Sequence, residues 1–287
     1  DESLIFWKNA LKHAPHVHSI PLDYPRPAVQ HHKGSSLVFR VPESVSSGLV
    51  NLAKDYEITL FGLVLSGFYI LLHKLSNENN LVIATPVAGR LERSLRNALG
   101  QFVNTIAIHM DIDADLTLRQ FAQQVQEQLR QSLKHQKVAF SRVVEAVSPK
   151  RDGSINPLAQ VGMFWERLGG MDEFKELLLP IQTPATLAGQ DLTLGSFPVR
   201  QQEGQLDLTL EMGGEYQGEL VGVLKYNSEL FSAQSAENMV QLLQAVLSEM
   251  VAHPERKIVE LDIAPDYKDG IQFEALRGKE IGRASCR

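Results

Sequence analysis

The apolar residues of this chain recur at two spacings, which separate predicted helices from predicted strands. From 60 to 75 nearly every position is apolar, as is typical of a helix buried on all sides, and Thr59 is suited to cap it. An apolar stripe at intervals of three and four residues follows the capping box of Thr117 and Gln120, and another follows Ser232. We therefore expect one core helix and two long helices that each bury one face.

Alternating or short continuous apolar runs predict the strands. They are residues 37–41, 81–84, 102–110, 161–165, 206–212 paired with 219–226 around Gly213 and Gly214, and a closing strand at 258–263. Shorter helices are predicted at residues 4–11, about 43–56 and 143–147, and residues 166–200 are predicted to form a long irregular segment. This order of elements predicts an α/β fold in which helices pack on a sheet.

One polar side chain interrupts an apolar row of the strand that follows Gly100. Asn104 shares a predicted strand face with Phe102 and Ile106. A buried amide without partners costs on the order of 1–3 kcal/mol. Asn104 is therefore predicted either to fix the end of the strand or to line a polar tunnel.

Composition and charge exclude several partner classes. The chain has 287 residues, 44% of them hydrophobic, which is enough for one large domain or two smaller ones. Lys and Arg number 28 against 34 Asp and Glu, and there is no clustered basic face, so nucleic acid is not an expected partner. The apolar run 60–72 is too short to span a bilayer and no segment resembles a signal peptide, so no membrane association is expected. The start at Asp1-Glu2-Ser3 indicates a piece of a longer protein.

The only cysteine, Cys286, lies in a C-terminal run of mixed charge without periodicity. Residues 266–269 resemble a fragment of an epitope tag, so we interpret 265–287 as a tag or vector-derived tail. Without Cys286 the chain has neither a disulfide nor a thiolate metal site, which predicts a cytoplasmic protein with no metal centre.

Three stretches in order and at compatible spacing resemble the fifth, sixth and seventh core motifs of the condensation domains of nonribosomal peptide synthetases. They are Gly100–Thr105 (GxFVNT), His135-Gln136 with Phe140 (HQxxPFE), and Arg151–Gln160 (RDxSRNPLxQ). Residues 6–8 and 22–27 resemble the linker between the two lobes of that family, and 85–90 resemble its TPVAGR stretch. Residues 206–210 resemble its FDLTL strand and 226–231 its YNxxLF segment, so the resemblance covers residues 4–263. The chain departs from the pattern at Val138–Ser141, which replace VPFE-like residues, and at Ile155, where Arg is common.

The resemblance implies one half of a two-lobed enzyme. Residues 1–30 would be the inter-lobe linker and residues 31–264 a C-terminal lobe, a chloramphenicol-acetyltransferase-like sandwich with helices on a mixed sheet. The catalytic HHxxxDG motif of the family lies in the N-terminal lobe. His31-His32 does not supply it, because Ser36 and Leu37 stand where Asp and Gly are required. No catalytic residue is therefore predicted in this chain, which we expect to be inactive alone.

In the family, an amide bond forms between an upstream acyl or peptidyl thioester and a downstream aminoacyl thioester. Both substrates are carried on the phosphopantetheine arms of carrier proteins, so no cofactor is expected to bind the chain directly. The implied partners are the N-terminal lobe and the donor and acceptor carrier proteins. The face that meets the other lobe is expected to be apolar, so the isolated chain is expected to self-associate.

By the same resemblance, Arg90 would cross the lobe boundary and pair with the aspartate of the HHxxxDG motif. The candidates for the tunnel wall are Asn104, Thr105, Ser154, Asn156 and Gln160. His109 and His135 are predicted to be structural.

Other readings of the same residues are a module that only docks carrier proteins or the other lobe, and the matching lobe of an epimerisation or heterocyclisation domain. A free acyltransferase using coenzyme A is a further alternative, but it would be expected to encode its own His motif. The RDxSxNPLxQ pattern favours ordinary condensation. The sequence leaves open the donor, the acceptor, the stereochemical class and the oligomeric state.

Overall fold

The computed structural model describes residues 2–95, 98–147, 152–165, 187–188, 193–194 and 204–263. Its helices are α1 (Glu2–Ala10), α2 (Glu43–Asp55), α3 (Leu60–Ser76), α4 (Leu118–Lys134), α5 (Phe140–Val147) and α6 (Ala233–Ala252). Its strands are β1 (Gly34–Val41), β2 (Asn80–Val87), β3 (Asn104–Asp111), β4 (Val161–Trp165), β5 (Leu187–Ala188), β6 (Thr193–Leu194), β7 (Leu208–Tyr216) and β8 (Glu219–Asn227).

Six of the strands form one mixed sheet in the order β1-β8-β7-β4-β2-β3. The central pairs β7–β4 and β4–β2 are parallel, and the outer pairs β1–β8, β8–β7 and β2–β3 are antiparallel. Strands β5 and β6 form a separate antiparallel pair. Helices α2, α3, α4 and α6 contact this sheet or one another, which confirms the predicted α/β fold.

The core helix α3 forms where the sequence predicts it. The Thr59 hydroxyl accepts the Gly62 N–H and caps its start, and every residue from Gly62 to Leu72 is buried. The helix contacts α4, α6 and β2, and the Tyr69 hydroxyl donates a 2.7 Å hydrogen bond to the Ile108 carbonyl of β3. Burial on all sides explains why its sequence lacks a polar stripe.

The two long amphipathic helices are also confirmed. The Thr117 hydroxyl accepts the Gln120 N–H at 3.2 Å, while the Gln120 amide oxygen accepts the Thr117 N–H at 3.0 Å, so the capping box of α4 is complete. The Ser232 hydroxyl accepts the Ser235 N–H at 3.1 Å and caps the start of α6, and the helix ends at Ala252, ahead of Pro254. These signals are local, which is why the sequence was sufficient to find them.

The N-terminal segment packs on the rest of the chain. Trp7, Leu11 and Ile20 are buried in the same core as the sheet and helices. The Trp7 indole N–H donates to the His135 carbonyl at 3.1 Å, and the Phe6 ring stacks on the His135 imidazole with centroids 4.1 Å apart. His109 Nδ1 lies 2.9 Å from the Ala10 carbonyl, so both histidines have structural contacts, as predicted.

Two strand predictions are wrong. The β7–β8 hairpin does not turn at Gly213-Gly214, because the strands pair on to Tyr216 and Glu219, and the register shifts between Met212 and Gly214 as a bulge. Residues 258–263 form no strand in the sheet. Ile258–Glu260 is a 3₁₀ turn whose Ile258 N–H donates to Leu116, so this segment lies against the loop before α4.

The strand that follows Gly100 begins at Asn104, so Phe102 precedes it. Of the predicted segment 166–200, the structure describes only β5 and β6, and the proposed tail 265–287 and Arg151 lie outside the described residues.

Candidate functional site

The loop after β2 is fixed by a glycine that no other residue can replace without rearrangement. Gly89 has φ +66°, and a Cβ added to it would lie 1.8 Å from the Phe102 carbonyl oxygen. The loop after β2 and the segment that enters β3 therefore touch through their backbones at this point.

Arg90 binds the carbonyl groups of the loop that joins β2 to β3. Its Nη1 donates to Leu95 at 2.5 Å and to Ala98 at 2.7 Å, and its Nη2 donates to Gly100 at 3.2 Å. Its guanidinium carbon lies 4.4 Å from the centre of the Phe102 ring, a cation–π geometry. No carboxylate among the described residues forms an ion pair with Arg90, so its positive charge is balanced by dipoles and an aromatic face.

Asn104 joins the start of β3 to the connection between α4 and α5. Its Nδ2 donates to Gln136 at 2.8 Å and to Val138 at 2.7 Å, and its Oδ1 accepts the Phe140 N–H at 3.1 Å. The whole amide is thus occupied by main-chain partners. Of the two roles predicted for Asn104, these contacts are those of a strand-end fixture. Thr105 follows it, half-buried, and pairs in register with Pro86 of β2.

An open cleft of about 440 Å³ lies between these segments, and we call it the β2–β3 cleft. It is lined by Gly89, Leu91, Glu92, Leu95, Gln101, Phe102, Val103, Asn104, Gln136, Lys137 and Ala139. Three apolar side chains in the same part of the chain are strongly exposed: Leu91 at 50%, Leu99 at 101% and Val103 at 60%. We call these three residues the apolar patch.

The remaining site candidates come together elsewhere, against the N-terminal segment. Gln160 is buried, its Oε1 accepts the His18 N–H at 3.2 Å, and its Nε2 donates to the Asn156 carbonyl at 2.7 Å. Asn156 Nδ2 donates to the Gln205 carbonyl at 2.5 Å, and the Ser154 hydroxyl donates to Asp152 at 2.7 Å. Among the described residues, no hydrogen bond or ion pair connects this group with Arg90 or Asn104.

Sequence reasoning missed the residue at the centre of this second group. Asp207 is fully buried, and Arg26 donates to it through Nη2 at 2.5 Å and Nη1 at 3.1 Å. Its carboxylate is also 3.0 Å from His18 Nε2 and 3.2 Å from Gln30 Nε2. We call Asp207, His18, Arg26 and Gln30 the Asp207 cluster. The available signal was an acidic residue inside the apolar run 206–210.

The protonation of the Asp207 cluster follows from its contacts. Burial by itself would raise the pKa of Asp207, but the hydrogen bonds that it accepts from His18 and Arg26, together with the charge of Arg26, outweigh burial and hold the pKa below its ordinary value. His18 Nδ1 accepts the Ile20 N–H at 3.2 Å, so the ring donates from Nε2 to the carboxylate. Asp207 is therefore a carboxylate at neutral pH.

No group of three or more His, Cys, Asp or Glu side chains within the described ranges is placed to hold a metal ion. In the same ranges no single helix has both the length and the hydropathy to cross a bilayer, and α2 with α3, which pass only as a pair, meet at a bend of 112°.

Comparison with known proteins gives one consistent family. A family profile described as "Condensation domain" matches residues 1–270. The chain is 32% identical over 263 residues to chondramide synthase of Chondromyces crocatus, which covers 92% of this chain and 6% of that protein. It is 31% identical over 255 residues to the phosphinothricin tripeptide synthetase of Streptomyces viridochromogenes, covering 86% of this chain and 20% of that protein.

A crystal structure of a four-domain nonribosomal peptide synthetase bound to AMP and glycine matches with a TM-score of 0.91 and 96% identity, over 97% of this chain and 21% of that one. The first condensation domain of the calcium-dependent antibiotic synthetase, 13% identical, has the same fold with a TM-score of 0.68, over 90% of this chain and 52% of that one. The chain thus spans between 6% and 21% of the length of these three larger synthetases.

Proposed function

Since the chain belongs to the condensation-domain family of nonribosomal peptide synthetases, we propose that it is the C-terminal lobe of such a domain, residues 31–264, preceded by its inter-lobe linker, residues 1–30. The observation that carries this proposal is coverage: nine-tenths of this chain matches only 52% of the solved condensation domain. The other half of the fold would supply the HHxxxDG motif, which this sequence lacks.

The proposed reaction is amide-bond formation. Condensation domains work in multidomain synthetases on substrates held by carrier proteins. The α-amine of the acceptor attacks the carbonyl carbon of the donor thioester, a C–N bond forms, and the C–S bond breaks with release of the carrier thiol. The sulfur atoms of the donor and acceptor thioesters both belong to phosphopantetheine arms of the carriers, so the chain itself would bind no cofactor. We place this reaction in the cytoplasm, because the chain has one cysteine, Cys286, and so forms no internal disulfide of the kind typical of oxidising compartments.

Arg90 would organise the junction between the lobes. Three of its five N–H donors are occupied by the carbonyls of Leu95, Ala98 and Gly100. Within the described part of the chain, the other two have no partner and would bind a carboxylate from the other lobe, and a cation already held in place loses little entropy on pairing. Among the described residues, Arg90 has no carboxylate partner, which supports this role.

The apolar patch would be part of the surface that the other lobe covers. Leu91 and Val103 are at least half exposed and line the β2–β3 cleft, and Leu99, which is fully exposed, precedes Gly100, whose carbonyl Arg90 binds. A cluster of large exposed apolar side chains is typical of an interaction surface. The isolated chain would then self-associate through the same residues, because none of the described residues covers them.

Reconstitution tests the proposal. Product would be measured from a donor-loaded and an acceptor-loaded carrier protein, with this chain alone and with the separately expressed upstream half. We expect product only in the mixture. Product from the chain alone would contradict the proposal and would return His31 and His32 to consideration as catalytic residues. Carrier binding without product in either case would instead indicate a docking module.

Arg90→Ala in the reconstituted pair tests the inter-lobe role. We expect kcat to fall by about 100-fold, since misplacing the two lobes misaligns the reacting atoms. The matched control is Arg119→Ala, because Arg119 also lies over an aromatic ring, that of Tyr56, at 4.8 Å. Arg119 pairs with Glu255 on the surface, so its loss should leave kcat unchanged. Equal effects of the two substitutions would refute the role of Arg90.

A further inference from the structure

The proposed linker is held to the lobe by charge as well as by apolar packing. The Asp207 cluster joins three linker residues, His18, Arg26 and Gln30, to one buried carboxylate of the lobe. These partners lie 177 to 189 positions from Asp207 in the sequence. Arg26 Nη1 also donates to the Ser154 carbonyl at 3.2 Å, so its guanidinium is bound by two separate segments of the lobe.

A second carboxylate works in the opposite direction. Asp23 belongs to the linker, and its two oxygens accept the Ser232 N–H at 2.7 Å and the Ser235 hydroxyl at 2.8 Å at the start of α6. A carboxylate is favoured at this position because the helix N-terminus carries a partial positive charge. The lobe thus binds linker donors through the Asp207 carboxylate, and the linker binds lobe donors through the Asp23 carboxylate.

Main-chain N–H groups of the linker also donate hydrogen bonds to the lobe. The Asp23 N–H donates to Leu230 at 2.9 Å, and the Gln30 N–H donates to Gly153 at 3.4 Å. The His18 N–H donates to Gln160 at 3.2 Å. At its N-terminal end, the linker is fixed by the buried Trp7, whose indole donates to His135. The linker is therefore bound to the lobe at several points between Trp7 and Gln30.

We infer that Asp207 is a positioning residue that fixes the linker to this lobe, so that residues 2–30 move with the lobe and the two lobes shift relative to each other outside that segment. The consequence for the lobes rests on the proposed function, whereas the attachment of the linker does not. Asp207 touches no substrate in this scheme. It acts through the linker, by setting where this lobe stands relative to its partner.

Replacement by the isosteric amide removes the attachment while preserving the volume. In Asp207→Asn, one of the two side-chain positions becomes an N–H donor, and every neighbour of that position in the cluster is itself a donor. Arg26 also keeps its charge but loses its counter-charge. The linker should therefore detach locally, whereas α3 and the sheet, which do not touch Asp207 through these bonds, should remain folded.

Hydrogen exchange on this chain measures the attachment directly. For Asp207→Asn we expect the N–H groups of His18, Ile20 and Asp23 to exchange at least ten times faster, with those of α3 changed by less than twofold. The matched control is Glu229→Gln, the same chemical change at a half-buried carboxylate that pairs with His31 and Lys33 beyond the linker. It should leave all these amides unchanged. Unaltered exchange in Asp207→Asn, or equal acceleration in α3, would overturn the inference.

A milder variant covers the case in which Asp207→Asn does not fold. Arg26→Lys retains the charge but cannot bind Asp207 through two nitrogens, so it should accelerate the same linker amides about threefold. In the reconstituted pair, Asp207→Asn should lower kcat at least tenfold with KM for each loaded carrier within twofold. A rise in KM alone would contradict a positioning role. If the pair forms no product even with the unaltered chain, the proposed function fails while the exchange result still stands.

Discussion

Among the described glycines, Gly89 is the one whose added Cβ would come closest to another atom. Its φ of +66° disfavours any side chain, and the atom that a Cβ would meet is a main-chain oxygen, which cannot rotate away. Gly89→Ala should lower the free energy of unfolding by about 3 kcal/mol, measured by urea denaturation. The control is Gly153→Ala, where the added Cβ would meet only the Ala28 oxygen at 3.9 Å. Equal losses in the two variants would contradict the assigned contact.

Asn104 supports a second prediction at this scale. Asn104→Ala leaves the carbonyls of Gln136 and Val138 and the N–H of Phe140 without their partner. We expect the free energy of unfolding to fall by about 1–3 kcal/mol in urea denaturation. Thr105→Val, which changes the next side chain along β3, should cost less than about 0.5 kcal/mol. A smaller loss for Asn104→Ala than for Thr105→Val would show that the three hydrogen bonds contribute little.

The lowered pKa of Asp207 predicts an acid-dependent contribution to stability. A group whose pKa is lower in the folded state stabilises the fold above its unfolded value, about 4 for Asp, and this stabilisation is lost as the pH falls through the folded value. The difference in unfolding free energy between the unaltered chain and Asp207→Asn should therefore be largest above about pH 5 and shrink below about pH 4. Urea denaturation across this range measures it, and a difference that grows with acidification would contradict the assigned ionisation.

Whether a residue's contacts could be predicted from the sequence depends on the distance between partners. The caps at Thr59 and Thr117 act within three residues, so they could be predicted. The chemistry of Asp207 could not, because its partners are about 180 positions away and only the folded chain brings them together. For Asn104 the strand pattern left two roles open, and a choice between them required the position of the α4–α5 connection.

At the scale of elements, the predicted turn of the β7–β8 hairpin was misplaced because a local turn signal differs from the strand pairing that the fold adopts. The glycine pair at 213 and 214 is a common turn signal, but Gly213 is the extra residue of a bulge, since Met212 pairs with Gly222 and Gly214 with Val221 across the hairpin. The actual turn has positive φ at Gln217 (52°) and at Gly218 (83°), a two-residue loop of the I′ kind. Gln is unusual at a turn position with positive φ, so the residue preferences of turns favoured Gly213-Gly214 over Gln217-Gly218.

The position of this turn can be tested by improving it. Gln217→Asn should raise the free energy of unfolding by about 0.5–1 kcal/mol, since Asn adopts positive φ more readily. The opposite change, Gly218→Ala, should lower it, because φ is 83° and the new Cβ would lie 2.9 Å from Glu43 Cγ. Urea denaturation measures both. If the hairpin turned at residues 213 and 214 instead, neither substitution would have these effects.

For the whole molecule, the linker and the lobe form a continuous core, whereas the β2–β3 cleft is open and bordered by the apolar patch. Family motifs occur in both regions, but their sequence pattern does not distinguish residues that contact the linker from residues beside the cleft. The structure separates them: Gln160 binds the linker at His16 and His18, and Arg90 holds the loop beside the cleft. In the proposed two-lobed enzyme, the first region would fix orientation and the second would meet the partner.

The exposed side chains of the apolar patch predict how the isolated chain behaves in solution. Leu99 and Val103 are 101% and 60% exposed, and burying them between two copies would remove apolar area from water. Sedimentation velocity should show mass that rises between micromolar and millimolar concentration, and the double variant Leu99→Asp with Val103→Asp should abolish the rise. The same change at Ile5 and Val29, which are 59% and 62% exposed but do not line the cleft, should not. Addition of the upstream half should compete with self-association, because the proposal assigns both to one surface. A strict monomer at high concentration would refute it.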